Sequence, residues 1–326
     1  MRIITPNQIA TCISNELENI KLGNAPVELY EPIRYLLALG GKRLRPQLAL
    51  MSYAMYKTDF EKIVQPALAI EVFHNFTLMH DDIMDNAPVR RGKPTVHEKW
   101  TNNVAILSGD VMLVKAYDLL LAVEDKYFKQ IIYLFNKTAA EVCEGQQFDM
   151  NFEKINNVTA DEYLRMIELK TAVLLGFSLQ MGALLADATP QEAQKLYDFG
   201  VNIGIGFQLK DDLLDVYGDK EKFGKQVGGD IVANKKTYLL IKALALAKGD
   251  TQKELNRLLS LTTFDKDEKV KAVTDIYNQL GIQALTENLM NEYFEKAFAI
   301  FKTLDRSEEQ KSLLYEFAKA LIERES

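Results

Sequence analysis

Cysteine is nearly absent: Cys12 and Cys143 are the two in 326 residues. Two thiols build neither a disulfide framework nor a Cys-rich zinc site, so both are expected to be buried thiols of a reducing compartment. A basic excess is also missing. The formal charge of −7 argues against a general nucleic-acid binder, whose surface needs net positive charge. Any anionic partner must therefore be met by local clusters of Lys and Arg. Long apolar runs are lacking as well. The longest uncharged stretch is the 16 residues from Thr171 to Ala186, and it contains Ser178 and Gln180. A bilayer span needs about 20 mostly apolar residues, so this stretch is expected to be a core helix and no transmembrane segment is predicted. The first residues show no apolar core ahead of a small-residue cleavage site, so no signal peptide is expected. These absences together predict a soluble, cytoplasmic protein.

Proline is absent after Pro190, leaving the last third of the chain without a proline break. Sustained period-two alternation is absent too. What is present is apolar spacing of three and four residues, in LYEPIRYLLALGGKRLRPQLALMSYAMY, VMLVKAYDLLLAVEDKYFKQIIYLF and KTAVLLGFSLQMGALLA. The fold is predicted to be all-α. Breaks are expected at Gly40-Gly41, 86–94, Asn156-Asn157, 187–190, 218–234 and Gly249-Asp250, none of them a long linker. One helical domain spanning 1–326 accounts for this. Residues 250–326, with alternating charges, are expected to form a peripheral helical tail.

The sharpest motif occurs twice, as Asp81-Asp82-Ile83-Met84-Asp85 and Asp211-Asp212-Leu213-Leu214-Asp215. On a helix, residues four apart share a face, so each copy stacks two carboxylates one turn apart. Such pairs are costly unless a cation lies between them, and hard oxygen ligands favour Mg2+, which completes its shell with water and substrate phosphate. One copy alone could be a solvated acidic helix end. Two copies, each closing an apolar helix, point instead to metal-bound phosphate. Cationic groups appear where such a site needs them: Gly40-Gly41-Lys42-Arg43-Leu44-Arg45-Pro46, Arg90-Arg91-Gly92-Lys93-Pro94, Lys170, Lys225 and Lys235. His74 lies two turns before Asp81 and is a plausible phosphate donor, whereas His80 and His97 are expected to pack or cap.

In this order the motifs GGKRLRP, DDIMD, RRGKPTVH, LKTA, GFQLKDDLLD and GK…NKKT, from Gly40 to Thr237, resemble the trans-isoprenyl diphosphate synthases. The resemblance implies an all-α bundle around a central cavity, working as a homodimer. It implies condensation of isopentenyl diphosphate, head to tail, with an allylic diphosphate. It also implies three Mg2+ ions held through Asp81, Asp85 and Asp211, with Asp82, Asp212 and Asp215 acting behind them or through water. Arg90, Lys170 and Lys235, with Lys225 nearby, are implied as donors to the allylic diphosphate. Lys42, Arg45, His74 and Arg91 are implied for isopentenyl diphosphate. Lys170, Thr171 and Gln208 would steady the carbocation.

A related reading, a class I terpene cyclase, does not need the second DDxxD or the GGKRLRP site. A non-catalytic subunit would commonly lose the second Asp cluster. Both features are intact here. The C-terminal ALIERES lacks a strongly basic closing tail and offers Arg324 alone. Product length is expected to be set below Asp81. At 1.5 Å per residue, Phe76 lies about 7.5 Å and Phe73 about 12 Å down the helix. Phe76 with the small Thr77 beside it resembles the twenty-carbon enzymes, so geranylgeranyl diphosphate is expected, with farnesyl diphosphate next.

Overall fold

The computed structural model describes residues 4–155, 157–218 and 228–323. Lys225 and Arg324 lie outside them. Helices dominate: α1 (Pro6–Glu18), α2 (Val27–Ala38), α3 (Leu44–Ala54), α4 (Val64–Met84), α5 (Val96–Lys99), α6 (Asn102–Leu120), α7 (Asp125–Lys154) and α8 (Ala160–Ile167). Then follow α9 (Val173–Leu185), α10 (Pro190–Tyr217), α11 (Gly229–Val232), α12 (Tyr238–Leu246), α13 (Gly249–Leu259), α14 (Lys266–Gln279), α15 (Ile282–Lys302) and α16 (Glu308–Glu323). Side-chain caps fix several starts. Thr5 with Gln8 and Thr159 with Glu162 form capping boxes for α1 and α8, and Asp265 accepts the Glu268 amide at 2.9 Å to start α14. The expected breaks at Gly40-Gly41, 86–94, 187–190 and Gly249-Asp250 coincide with helix ends, where Gly40, Gly41, Asn86, Asp187 and Gly249 adopt left-handed backbone; Asn156 and most of 218–234 lie outside the described residues.

Two local features depart from plain helix. Arg90-Arg91-Gly92-Lys93 forms a tight hairpin: β1 (Val89–Arg90) pairs antiparallel with β2 (Lys93–Pro94) across Arg91 and Gly92, whose φ values are 53° and 72°. Two consecutive left-handed residues match the twist of paired strands. Between α8 and α9 the chain makes a π turn, Glu168–Ala172, where uninterrupted helix was expected.

The packing falls into two compact units. The first comprises Met1–Lys137, Phe177–Tyr197 and Leu304–Phe317; the second comprises Thr138–Gly176, Asp198–Thr303 and Ala318–Ser326. In the first, α4 lies along α6 and against α3, with α1 on α3 and α4 and α2 on α6. Phe73 meets Phe135 edge-on and Phe135 meets Phe177 at a tilt through its interior, with centroids 5.3 and 6.0 Å apart. Full burial of such a ring stabilises by about 1.5–3 kcal/mol. Gly182 lets α9 touch α3, since a Cβ there would stand 2.0 Å from the Ala49 carbonyl oxygen. Ser52 closes the same contact by donating to Leu179 O at 2.7 Å.

In the second unit, Leu213 and Val216 of α10 share a core with Leu239 and Leu240, Leu255, Val273 and Ile282. Tyr163, Met166 and Ile167 of α8 join Leu209 and Tyr238 in another. The segment Ala160–Leu185 is long and apolar enough to cross a membrane, but 83% of its critical window is buried inside the protein, as a core helix requires. The cysteines depart from expectation. Cys12 is only partly buried and Cys143 is exposed, because each sits off the apolar face of an amphipathic helix, beside buried Ile13 and Val142.

Candidate active site

The first unit carries the first Asp cluster at the end of α4. Asp81 lies in the last turn and Asp85 caps the helix, its amide donating to Asp81 O at 2.9 Å. The predicted one-turn stack of carboxylates is therefore present, with Asp85 exposed and Asp81 partly so. Asp82 does something else. It is buried to 2% exposure and receives the Arg90 fork, from Nε at 3.0 and 2.9 Å and from Nη2 at 2.8 Å. Arg90 Nη2 also stands 3.9 Å from Asp81 Oδ2. Burial pushes the Asp82 carboxyl up and Arg90 pulls it back. The hairpin thus returns Arg90 to α4, and a bidentate pair orients its guanidinium at the C-terminal end of the helix, beside Asp81.

The basic segment before α3 takes its shape from Gly40, Gly41 and Arg43, at φ 78°, 134° and 46°. Gly41 packs against the Arg91 guanidinium, where a Cβ would sit 2.7 Å from Nη2 and the arginine would have to shift. Lys42 is exposed, whereas Arg45 is drawn inward, its Nε buried without a hydrogen-bond partner. Desolvation lowers the Arg45 pKa to about 10 against the opposing pull of Glu71. His74, on α4, is held well below its usual pKa by burial and by Arg45, Arg90 and Arg91, so its imidazole is neutral. Lys42, Arg45, His74 and Arg91 thus belong to one unit, and the last two are electrostatically coupled to Arg45 or Glu71.

Glu71 was not anticipated from sequence. It is 5% exposed, accepts from Asn75 Nδ2 at 3.2 Å, and lies within the field of Arg45, Arg91 and Arg43. Its only sequence signal is a carboxylate inside the apolar run PALAIEVF, three residues before His74.

Phe73 is fully buried, while Phe76 and Thr77 are only partly so. Phe76 stands 5.7 Å from Phe73 and 4.7 Å from the His80 ring. His80 Nε2 is 3.1 Å from Ile106 O and fits only because residue 109 is glycine; a Cβ there would lie 2.2 Å from Nε2. His80 therefore packs, as expected. His97 lies 3.6 Å from Glu98 and keeps a buried Nδ1 without a partner.

The second unit carries the second cluster inside α10. Asp211 is exposed and Asp212 buried. Tyr163 OH donates to Asp212 Oδ2, and Gln208 Nε2 donates to Oδ1 at 3.3 Å. Thr171 Oγ1 lies 3.4 Å from Gln208 Oε1, which brings Thr171, Gln208 and Asp212 into one chain of polar contacts. Thr171 and Lys170 sit in the π turn; such bulges recur at functional sites. Gly145 admits the turn, since a Cβ would stand 2.2 Å from Lys170 N. Lys170 Nζ meets Asp149 Oδ2 at 2.6 Å, a partner the sequence did not disclose.

Asp230 is the other unanticipated residue. Its amide donates to Asp215 Oδ2 at 3.0 Å, and its charge acts on Asp212 and Asp215 together. Burial first, then Asp230, raises Asp212 to about 7 and Asp215 to about 6, while Lys235 pulls both down. This donor set fits a magnesium site: several hard carboxylate oxygens crowd one another at a cost that a divalent cation would reverse. Among the described residues no three such groups already converge on one point. Mg2+ commonly takes only one or two carboxylates and fills the rest with water and phosphate. Next to Asp211, Lys210 donates to Ile322 O and ties down the last turn of α16.

A polyprenyl synthetase family profile matches residues 26–277. The chain belongs to the polyprenyl synthetase family. A short chain isoprenyl diphosphate synthase of Methanocaldococcus jannaschii is 42% identical over 250 residues, covering 76% of each chain. A geranylgeranyl diphosphate synthase of Methanosarcina mazei is 38% identical over 306 residues, covering 92% of this chain and 91% of the relative. A crystal structure of a geranylgeranyl pyrophosphate synthase superposes with a TM-score of 0.94 at 44% identity, over 99% of this chain and all of the other. The fold is the all-α fold of that family, and the protein is a trans-prenyltransferase that elongates prenyl chains.

Proposed function

We propose that the protein condenses isopentenyl diphosphate with an allylic diphosphate, releasing pyrophosphate, and that its main product is geranylgeranyl diphosphate. The observation that carries the product length is the contrast along α4. Phe73 is sealed in the core, whereas Phe76 keeps an accessible face beside Thr77. A half-buried ring five residues before Asp81 supports a floor one step deeper than two facing aromatics would build. Relatives named geranylgeranyl diphosphate synthase, at 36–38% identity, support the same length.

Asp81, Asp85 and Asp211 would hold Mg2+, three ions in all, which would neutralise the charge that builds on the leaving pyrophosphate. The chain's own residues do the rest. Arg90, oriented by Asp82, donates to the allylic diphosphate together with Lys170 and Lys235. Lys42, Arg45 and Arg91 bind isopentenyl diphosphate, and the neutral His74 adds a hydrogen bond without a further charge. Thr171 and Gln208 aim oxygen dipoles at the carbocation left after the carbon–oxygen bond breaks, which is electrostatic stabilisation by groups already in place. The released pyrophosphate takes the proton that the condensed product loses. Residues 1–326 are read as one prenyltransferase domain, with 250–326 as a peripheral helical tail. The protein works in the cytoplasm. It also works as a homodimer, a reading supported by Leu107, Val114 and Leu121, which leave an apolar strip of α6 and its end exposed.

Mass spectrometry of products from isopentenyl diphosphate and each allylic primer tests this. Wild type should give mainly the twenty-carbon product, and Phe76→Ala a longer one stopping near Phe73. Identical product distributions from the two proteins would remove Phe76 as the length determinant.

A further inference from the structure

Lys269, on α14, is 2% exposed. Lysine is almost never buried this fully without a carboxylate partner. Here the ammonium meets none among the described residues. Its contacts are Asn234 Oδ1 at 2.7 Å, Val232 O at 3.5 Å and the face of Phe264 at 4.2 Å. Desolvation accordingly lowers its pKa. A Met of similar length would fill the same space at no electrostatic cost, and replacing buried charge by apolar side chains is often neutral or stabilising. The cation therefore serves something other than the stability of α14.

Its partner indicates what that is. Asn234 has left-handed backbone, φ 53°, and its side chain is gripped at both ends: Oδ1 by Lys269, and Nδ2 by donation to Leu259 O at 3.0 Å at the end of α13. The next residue is Lys235. Its amide donates to Asp230 O at 2.9 Å, and its charge reaches both Asp212 and Asp215. The segment from α11 to Lys235 also rests on α14, since a Cβ on Gly228 would stand 2.6 Å from Val270. The left-handed turn at Asn234 thus decides where the Lys235 side chain starts, and Lys269 holds that turn.

We propose that Lys269 is a positioning residue: through Asn234 it fixes the turn that aims Lys235 at the metal-bound diphosphate. This rests on the assignment of Lys235 to that diphosphate. The test uses the full chain and three variants. Lys269→Met keeps the stem and removes the cation. Asn234→Gly keeps the left-handed turn and removes the side chain. Lys235→Ala is the reference. Binding of inorganic pyrophosphate with Mg2+ is measured by calorimetry, together with KM for each substrate and the melting temperature.

Lys269→Met and Asn234→Gly should each weaken pyrophosphate binding and raise the allylic KM about tenfold, the worth of one charge-assisted hydrogen bond. The isopentenyl diphosphate KM should stay within about twofold, and Lys269→Met should melt no lower than wild type. The double variant should be no worse than either single one, because both break the same link. Unchanged pyrophosphate binding in both single variants, with Lys235→Ala impaired, would overturn the inference alone. So would equal KM changes for both substrates, or a lowered melting temperature that accounts for the loss. If Lys235→Ala itself binds pyrophosphate like wild type, the assignment of Lys235 falls and takes this inference with it. Should Lys269→Met fail to fold, Asn234→Gly decides the question by the same measurements.

Discussion

The same five-residue motif lies in two different settings. At Asp81–Asp85 it ends a helix, so its outer carboxylates reach solvent and its middle one is clamped by Arg90. At Asp211–Asp215 it lies within α10, which continues to Tyr217; Asp211 is exposed and Asp215 half-buried, and Asp212 is buried under Tyr163 and Gln208. The first middle aspartate has a full cation partner. The second has neutral donors, a neighbouring Asp230, and a pKa raised to about 7. One pattern therefore gives an ion pair in one place and a strained carboxylate in the other. Both middle aspartates are buried; what differs is the sign of the neighbouring charge, which the motif does not encode.

The largest expected effect tests what the two copies share. Asp81→Ala and Asp211→Ala should each lower turnover by several orders of magnitude with the fold retained by circular dichroism, because on the proposed assignment each would remove a ligand to the charge-neutralising metal. Near-normal turnover in either would break the equivalence.

The next tests how they differ. Asp82→Asn leaves Arg90 facing a neutral group and should destabilise the protein by about 3 kcal/mol in denaturant titration. Asp212→Asn, at a site whose burial already resists charge, should cost far less. Equal losses would show that Asp82 and Asp212 play the same part after all.

A third test separates the diphosphates. Lys42→Ala and Arg45→Ala should raise the KM for isopentenyl diphosphate by about ten- to a hundredfold and leave the allylic KM nearly unchanged, while Arg90→Ala should do the reverse. Steady-state kinetics with each substrate varied in turn checks this.

The smallest effect concerns pH. Asp212 titrates near 7 when folded and near its ordinary 3.8 when unfolded, so between those values the folded state holds the extra proton. Its contribution to stability is complete below about pH 4 and is lost as pH rises through 7. With metal removed by a chelator, the melting temperature should fall between pH 5 and pH 8. Asp212→Asn should reduce that fall, and added Mg2+ should reverse it in wild type.

Most helices were legible in the sequence because three- and four-residue apolar spacing and Thr or Asp caps act locally. The placement of Asp81 and Asp85, and of Asp211 and Asp215, one turn apart was legible for the same reason: it depends only on spacing within one helix. The hairpin at Arg91-Gly92 escaped notice because two-residue strands show no alternation to detect. The π turn at Lys170 escaped because it needs Gly145 on another helix to make room for it. The cysteines were misread because hydrophobicity alone does not say on which side of an amphipathic helix a residue falls.

By itself, then, the sequence determined the all-α class, several of the breaks between helices, and two pairs of aspartates one helical turn apart with cationic segments at set distances along the chain. Each of these depends on residues within a few positions of one another. Only the tertiary structure decided that Asp82 pairs with Arg90, that Glu71 lies in the field of three arginines, that Asp230 joins the second cluster, and that Lys269 holds the turn before Lys235. Those outcomes depend on burial and on charges brought together by packing, and a low-dielectric interior makes such meetings strong enough to set pKa values and orient side chains.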